Sequence, residues 1–123
     1  MAITLSGTTM RAAVYRGPSD IRVEAVAMPV VGSDDVLLLT INCGICGSDL
    51  HSFHSGQFVE TGQILGHEFV GRVAAAGKDV VGISEGVRAT GFTVGVCGEC
   101  YWCTGRQYNL CPQLFHASTR GVR

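Results

Sequence analysis

The six cysteines and four histidines are the residues of this 123-residue chain best suited to chemistry, and most of them fall in clusters. The segment CGICGSDLH, Cys43 to His51, sets two thiols three positions apart and follows them with Ser48, Asp49 and His51. That spacing suits a redox dithiol, half of a zinc knuckle or one corner of an active site. A second cluster, VCGECYWCTGRQYNLCP, places Cys97, Cys100, Cys103 and Cys111 in the pattern C-x2-C-x2-C-x7-C. Four thiolates within so short a loop can close a tetrahedron around zinc, which prefers sulfur ligands and imposes no fixed chain geometry between them. The loop is otherwise poor in core-forming residues, so metal is expected to hold it folded, with Tyr101 and Trp102 packing it against its neighbours. An iron–sulfur cluster is the rival, because the run ending in Cys-Pro is similar to those of bacterial ferredoxins. Those runs have three residues before the last cysteine rather than seven, and usually come in pairs. A non-enzymatic zinc module that uses the loop for protein contacts is a further alternative.

These clusters need elements to position them, and the chain supplies mostly strands. Residues 1–9 are small and polar and are expected to be a disordered extension. A strand begins at Met10 with MRAAVY, and Gly17-Pro18-Ser19-Asp20 is a strong turn signal. IRVEAV (21–26) alternates as a half-buried strand does, and VLLLTINC (36–43) is apolar enough to be expected at the centre of the core. Ser48 is the expected cap of a short helix running through Leu50 and Phe53. A mostly polar loop, 55–63, leads to HEFVGRVAAAG (67–77), a strand whose Gly71 marks a bulge or a close backbone approach. A turn over Gly82–Gly86 and a last short strand, VRATGF (87–92), complete the pattern. The fold class that follows is mainly β, a small barrel or sandwich with few short helices, in one compact domain.

Composition narrows the function classes. With 46% hydrophobic and 15% charged residues the chain is globular. A net charge of −1 gives no field for phosphates, which argues against charge-driven binding of nucleic acid. No apolar run reaches the ~20 residues of a membrane span. The opening MAITLSGTTM lacks a basic n-region and an apolar core, so the expected location is the reducing cytoplasm, where clustered cysteines are more often metal ligands than disulfides.

CGICGSDLH, then GHEFVG (66–71), then the four-cysteine loop, in this order, resembles the zinc-dependent alcohol dehydrogenases of the medium-chain dehydrogenase/reductase family. The opening MRAAVYRGPSDIRVE is similar to the start of that family's catalytic domain, and the likeness runs from Met10 to Cys111. The resemblance implies a GroES-like partial β-barrel with a structural zinc lobe over residues 10–123. It implies two zinc ions. Cys46 and His67, with Glu68 as an alternate ligand, would hold a catalytic ion, and Cys97, Cys100, Cys103 and Cys111 a structural one. Asp49 would orient His67, as such histidines generally require. Ser48 would bond the substrate hydroxyl and begin a proton relay, with His51 near its solvent end. Cys43 is then a small core residue, and the dithiol reading loses ground because no thioredoxin-like α/β alternation is visible. Gly47 stands where some members carry an Arg or His toward the cofactor pyrophosphate, a feature closer to the polyol and threonine dehydrogenases than to the ethanol enzymes. The implied reaction is reversible oxidation of a small alcohol or polyol with NAD or NADP, in an intact enzyme that can be a homo-oligomer.

The chain departs from the family pattern in identifiable places. The third catalytic ligand, a Cys or Glu downstream of the lobe, has no counterpart after Cys111; His116 is the one remaining metal-binding type, and a surface or core place is expected for it. No G-x-G-x-x-G joins a strand to a helix, so the main nucleotide-binding domain is missing from these residues. Members are nearly three times this length, which makes the chain an expected front part of a catalytic domain, inactive by itself. Gly86-Val87-Arg88-Ala89 replaces a turn that usually carries a carboxylate, and an extra residue separates Phe92, a candidate lining of the substrate cleft, from Cys97.

Overall fold

The computed structural model describes residues 7–91 and 95–114, and the chain divides into two units, Met1–Thr90 and Gly91–Arg123. Phe92, His116 and residues 1–6 of the expected extension lie outside the described residues.

In the first unit, the Gly17–Asp20 turn folds β1 (Thr9–Gly17) onto β2 (Asp20–Ala27) as an antiparallel hairpin, with Thr9 opposite Ala27 and Tyr15 opposite Ile21. Strand alternation on β1 turns Ala12 and Val14 inward, joined by Tyr15, while Arg11 and Ala13 face out. The same alternation misleads on β2. Ile21 and Val23 are expected on a half-buried face, yet they are 39% and 65% exposed, because among the described residues nothing covers that face of β2. Residues 62–65 line the other edge of β1. Gly62 N–H donates to Tyr15 O (2.7 Å), Tyr15 N–H to Gln63 O (2.9 Å) and Leu65 N–H to Ala13 O (3.0 Å).

A second sheet has the order β3-β4-β5, all antiparallel, from β3 (Val36–Gly44), β4 (Glu68–Ala76) and β5 (Arg88–Ala89). Here the expectation that 36–43 is central to the core is corrected. Among the described residues β3 pairs only with β4, and Leu39 and Ile41 are 48% and 44% exposed. The buried middle strand is β4, through Val73 and Ala74. Apolar composition states that a strand calls for cover; it does not say which element supplies it. Cys43, expected in the core, is likewise exposed on this edge strand.

Two irregularities shape the β3–β4 ladder. Leu37 faces Ala75 while Leu38 faces Val73, which leaves Ala74 extra; Thr40 faces Gly71 while Asn42 faces Val70, which leaves Ile41 extra. Gly71 sits at the second of them and also allows a close approach, since a Cβ there would lie 2.8 Å from Leu39 O. The last strand is shorter than the expected 87–92, with Thr90 already beyond it and its hydroxyl donating to Phe69 O (2.6 Å). Ahead of β3, the 32–35 turn packs on Gly77: Gly77 N–H donates to Asp35 O (2.8 Å) and Asp79 N–H to Ser33 O (2.9 Å). A Cβ on Gly77 would lie only 2.1 Å from Gly32 O and 2.2 Å from Ser33 O.

The helix α1 (Gly47–Ser55) begins two residues earlier than a Ser48 cap would place it. Its N-cap is Cys46, whose N–H donates to Asp49 Oδ2 (2.9 Å), because a carboxylate three residues on satisfies this otherwise unpaired backbone donor. Gly56 ends the helix in the left-handed conformation (φ 72°), returning its N–H to Ser52 O (2.9 Å). The second unit holds the short helix α2 (Tyr101–Thr104) and a 3-10 turn at Tyr108–Leu110, and its buried residues among those described are Cys103 and Cys111. The fold is thus mainly β with few short helices. No helix among the described residues is long and apolar enough to cross a membrane.

Candidate metal centres

Cys46 and His67 are 21 positions apart in sequence, and the β3–β4 ladder brings them together. Gly44, the last residue of β3, pairs with Glu68, the first of β4, so the chain leaving one strand and the chain entering the other stand side by side. The thiol of Cys46, a ring nitrogen of His67 and a carboxylate oxygen of Glu68 all lie within 4.8 Å of one another. Gly44 makes the room: a Cβ there would sit 2.7 Å from Glu68 Oε2 and 3.2 Å from Glu68 Cβ. Sequence reasoning passed over this glycine. Its clearance depends on cross-strand register, which the residue string does not display, although a glycine inside the C-x-x-C was the available hint.

Helix α1 supplies the neighbours. His67 Nδ1 is 3.3 Å from Asp49 Oδ1, so Asp49 addresses the ring through one oxygen and the helix cap through the other. With Nδ1 directed at a carboxylate, the Nε2 lone pair is left for a ligand. Ser48 Oγ lies 3.4 Å from Nε2. The Ser48 hydroxyl foremost, then its N–H and the His67 ring, hold the Cys46 thiol below its ordinary pKa. The contact with Cys46 in turn raises His67, an effect that desolvation opposes and the Asp49 charge reinforces. His51 stands apart from this donor set, with Nε2 3.1 Å from Gln57 Oε1 and its ring 5.9 Å from that of Phe58. Gly47 opens the helix with nothing within 4 Å of the place a Cβ would occupy. One soft donor, one imidazole and one carboxylate on a partly exposed rim fit a three-ligand zinc site with an open position.

In the second unit the thiols of Cys97, Cys100, Cys103 and Cys111 also lie within 4.8 Å of one another. Cys97 Sγ is 3.8 Å from Cys103 Sγ and 3.6 Å from Cys111 Sγ. Ligands at the ordinary Zn–S length of ~2.3 Å occupy corners of a tetrahedron about 3.8 Å apart, so the cluster has the dimensions of a single four-thiolate ion. Iron and sulfide atoms of a multi-iron cluster would need a wider cage, so the spacing favours the single ion over the ferredoxin-like alternative. All six cysteines are free thiols. The backbone N–H groups of Glu99 and Cys100 bring the Cys97 thiol down to about 7, whereas burial pushes Cys103 up to about 12. Gly98 takes a left-handed φ of 81° between the first two ligands, and Cys97 N–H donates to Cys111 Sγ (3.5 Å). Tyr101 and Trp102, expected to pack the loop against its neighbours, stand outside the thiol cluster. They are 79% and 37% exposed and meet each other edge to face, with ring centroids 5.1 Å apart.

Comparison with known proteins agrees with this chemistry. The family described as alcohol dehydrogenase GroES-like domain matches residues 32–122. Sorbitol dehydrogenase of Bacillus subtilis (strain 168) is 38% identical over 117 residues, which cover 92% of this chain and 33% of that protein. D-arabitol-phosphate dehydrogenase of Enterococcus avium is 39% identical over 115 residues, covering 91% of this chain and 32% of that protein. Among solved structures, alcohol dehydrogenase TADH from Thermus sp. ATN1 superposes with a TM-score of 0.77 at 39% identity, over 85% of this chain and 30% of that one. The chain therefore spans about a third of the length of these relatives. Two clustered sets of zinc-type donors on a mainly β frame, and a family match over most of the sequence, lead to one assignment: the chain belongs to the alcohol dehydrogenase GroES-like domain family.

Proposed function

We propose that this chain carries the metal-binding part of the active site of an NAD(P)-dependent dehydrogenase that reversibly oxidises a small alcohol or polyol to an aldehyde or ketone. The observation that carries the reading is the convergence of Cys46, His67 and Glu68 within 4.8 Å, beside Ser48 and Asp49. Polyol dehydrogenases among the relatives support the substrate class. Cys46 and His67 are the ligands of a catalytic zinc, with Glu68 as the alternate. When bound, zinc supplies a Lewis acid that makes an alcohol hydroxyl easier to deprotonate. Asp49 fixes the His67 tautomer by accepting from Nδ1. Ser48 bonds the substrate hydroxyl and begins a proton relay, handing on its own proton as it accepts the substrate's, with His51 near the solvent end. Gly47, with open space above it, leaves room for the cofactor's pyrophosphate side. The four-cysteine lobe holds a second, structural zinc.

The 123 residues contain no dinucleotide fingerprint, so the chain by itself is expected to turn over little or no alcohol. A chimera tests the reading: these residues replace the matched 117 of the Bacillus subtilis sorbitol dehydrogenase, with and without Cys46→Ser. Zinc-dependent polyol oxidation by the chimera, abolished by Cys46→Ser, is the expected result. A folded chimera that binds two zinc ions and shows no oxidation, or whose oxidation survives Cys46→Ser, would overturn it.

A further inference from the structure

Both segments that bring donors to the Cys46–His67–Glu68 cluster are tied to one strand, and that strand contributes no donor itself. On one side, residues 62–65 hydrogen-bond to Ala13 and Tyr15 of β1, and His67 follows two residues later. On the other side, the C-terminal half of α1 rests on the β1–β2 turn. Ser19, held at a left-handed φ of 61°, donates its N–H to Phe53 O at 2.7 Å. Gly56, the helix terminator, comes so close that a Cβ on it would lie 3.2 Å from Tyr15 Oη and 3.3 Å from Pro18 Cγ. Tyr15 is 3% exposed, and Ser52, on the same half of the helix, is 8% exposed. The opposite end of α1 presents the Cys46 cap, Ser48 and Asp49 to His67.

We propose that Tyr15, Pro18 and Ser19 are positioning residues: the β1–β2 hairpin sets the separation between Cys46 and His67 by holding α1 at its far end while pairing with the approach to His67. The proposal rests on reading that cluster as a metal centre. A nine-residue helix is stiff on the scale of its own length, so a displacement at Gly56 is delivered to Cys46 and Asp49 at its other end. Ligand geometry is demanding, and shifting the groups that orient a metal ligand typically costs 10–100-fold in affinity.

Gly56→Ala is the direct test. It strains a left-handed position and pushes a methyl group against Tyr15 Oη and the Pro18 ring, while Pro18→Ala loosens the same contact from the other side. Cobalt(II) is the probe, added to the 123-residue chain, because four-thiolate and mixed sulfur–nitrogen–oxygen sites absorb differently and each is titrated separately. The wild-type chain is expected to take up two cobalt ions. Gly56→Ala should weaken the mixed site about tenfold while changing the four-thiolate site less than about twofold, and Tyr15→Phe added to it should restore part of the loss. Pro18→Ala should act in the same direction by about threefold, and it decides the matter if Gly56→Ala does not fold. Unchanged mixed-site affinity in the folded variants, or equal weakening of both sites, overturns the positioning role alone. A wild-type chain that binds cobalt only at the four thiols overturns the metal-centre reading and the proposal with it.

Discussion

Replacing Cys103 with serine should separate the lobe from the rest of the molecule. Among the described residues of the second unit, only Cys103 and Cys111 are buried, and both are candidate ligands. Burying two side chains of this size contributes no more than about 3 kcal/mol. A structural zinc contributes about 10–16 kcal/mol of apparent binding energy in small peptides. The metal therefore decides whether residues 97–111 are ordered. Shared over four thiolates, its contribution is about 2.5–4 kcal/mol per ligand, so Cys103→Ser should weaken the lobe's zinc affinity about 10²–10³-fold. Trp102, the single tryptophan, lies inside the lobe and serves as the reporter. In competition against a chromophoric chelator, the variant should surrender its lobe zinc first, and Trp102 emission should match that of metal-stripped wild type. The strand signal in far-ultraviolet circular dichroism should persist, since the five strands among the described residues lie in the first unit. Wild-type affinity in Cys103→Ser, or Trp102 emission indifferent to metal removal, would refute the reasoning.

Three further outcomes follow from the same geometry. Cys46→Ser should reduce bound zinc from two equivalents to one and leave Trp102 emission unchanged, as read by metal analysis and fluorescence. Gly77→Ala forces a methyl to within about 2 Å of two carbonyl oxygens and should cost about 3 kcal/mol through lost hydrogen bonds and displacement of the 32–35 turn, measured by denaturant midpoint at constant slope. Tyr15→Phe should cost nothing or stabilise by about 1 kcal/mol, because Tyr15 Oη is buried with no hydrogen-bond partner among the described residues; a melting temperature lowered by several degrees would contradict this.

Much of the chemistry was legible because it is local or strongly patterned. The C-x2-C-x2-C-x7-C run announces a four-sulfur site from spacing alone, and Gly71 inside an apolar strand announced the irregular ladder that is found there. What escaped depends on partners far along the chain. Ile21, Val23 and Leu39 follow buried-strand patterns and are exposed, because a strand's pattern says which face calls for cover and not whether another layer supplies it. Ser48 is the better cap former by type, yet Cys46 takes the position because Asp49 reaches back to its N–H. Gly44 carries no signal until Glu68 is known to stand opposite it.

The ladder between the third and fourth strands keeps time for the chemistry. Its two slips have opposite sense, one residue surplus on each strand, so nine residues still march against nine and position 44 arrives level with position 68. Removing Ile41 would take out the surplus residue itself: Thr40 would still face Gly71 and Asn42 would still face Val70, so position 44 would stay level with position 68. A deletion at that exposed position, touching no paired residue and no donor atom, should leave the centre in register.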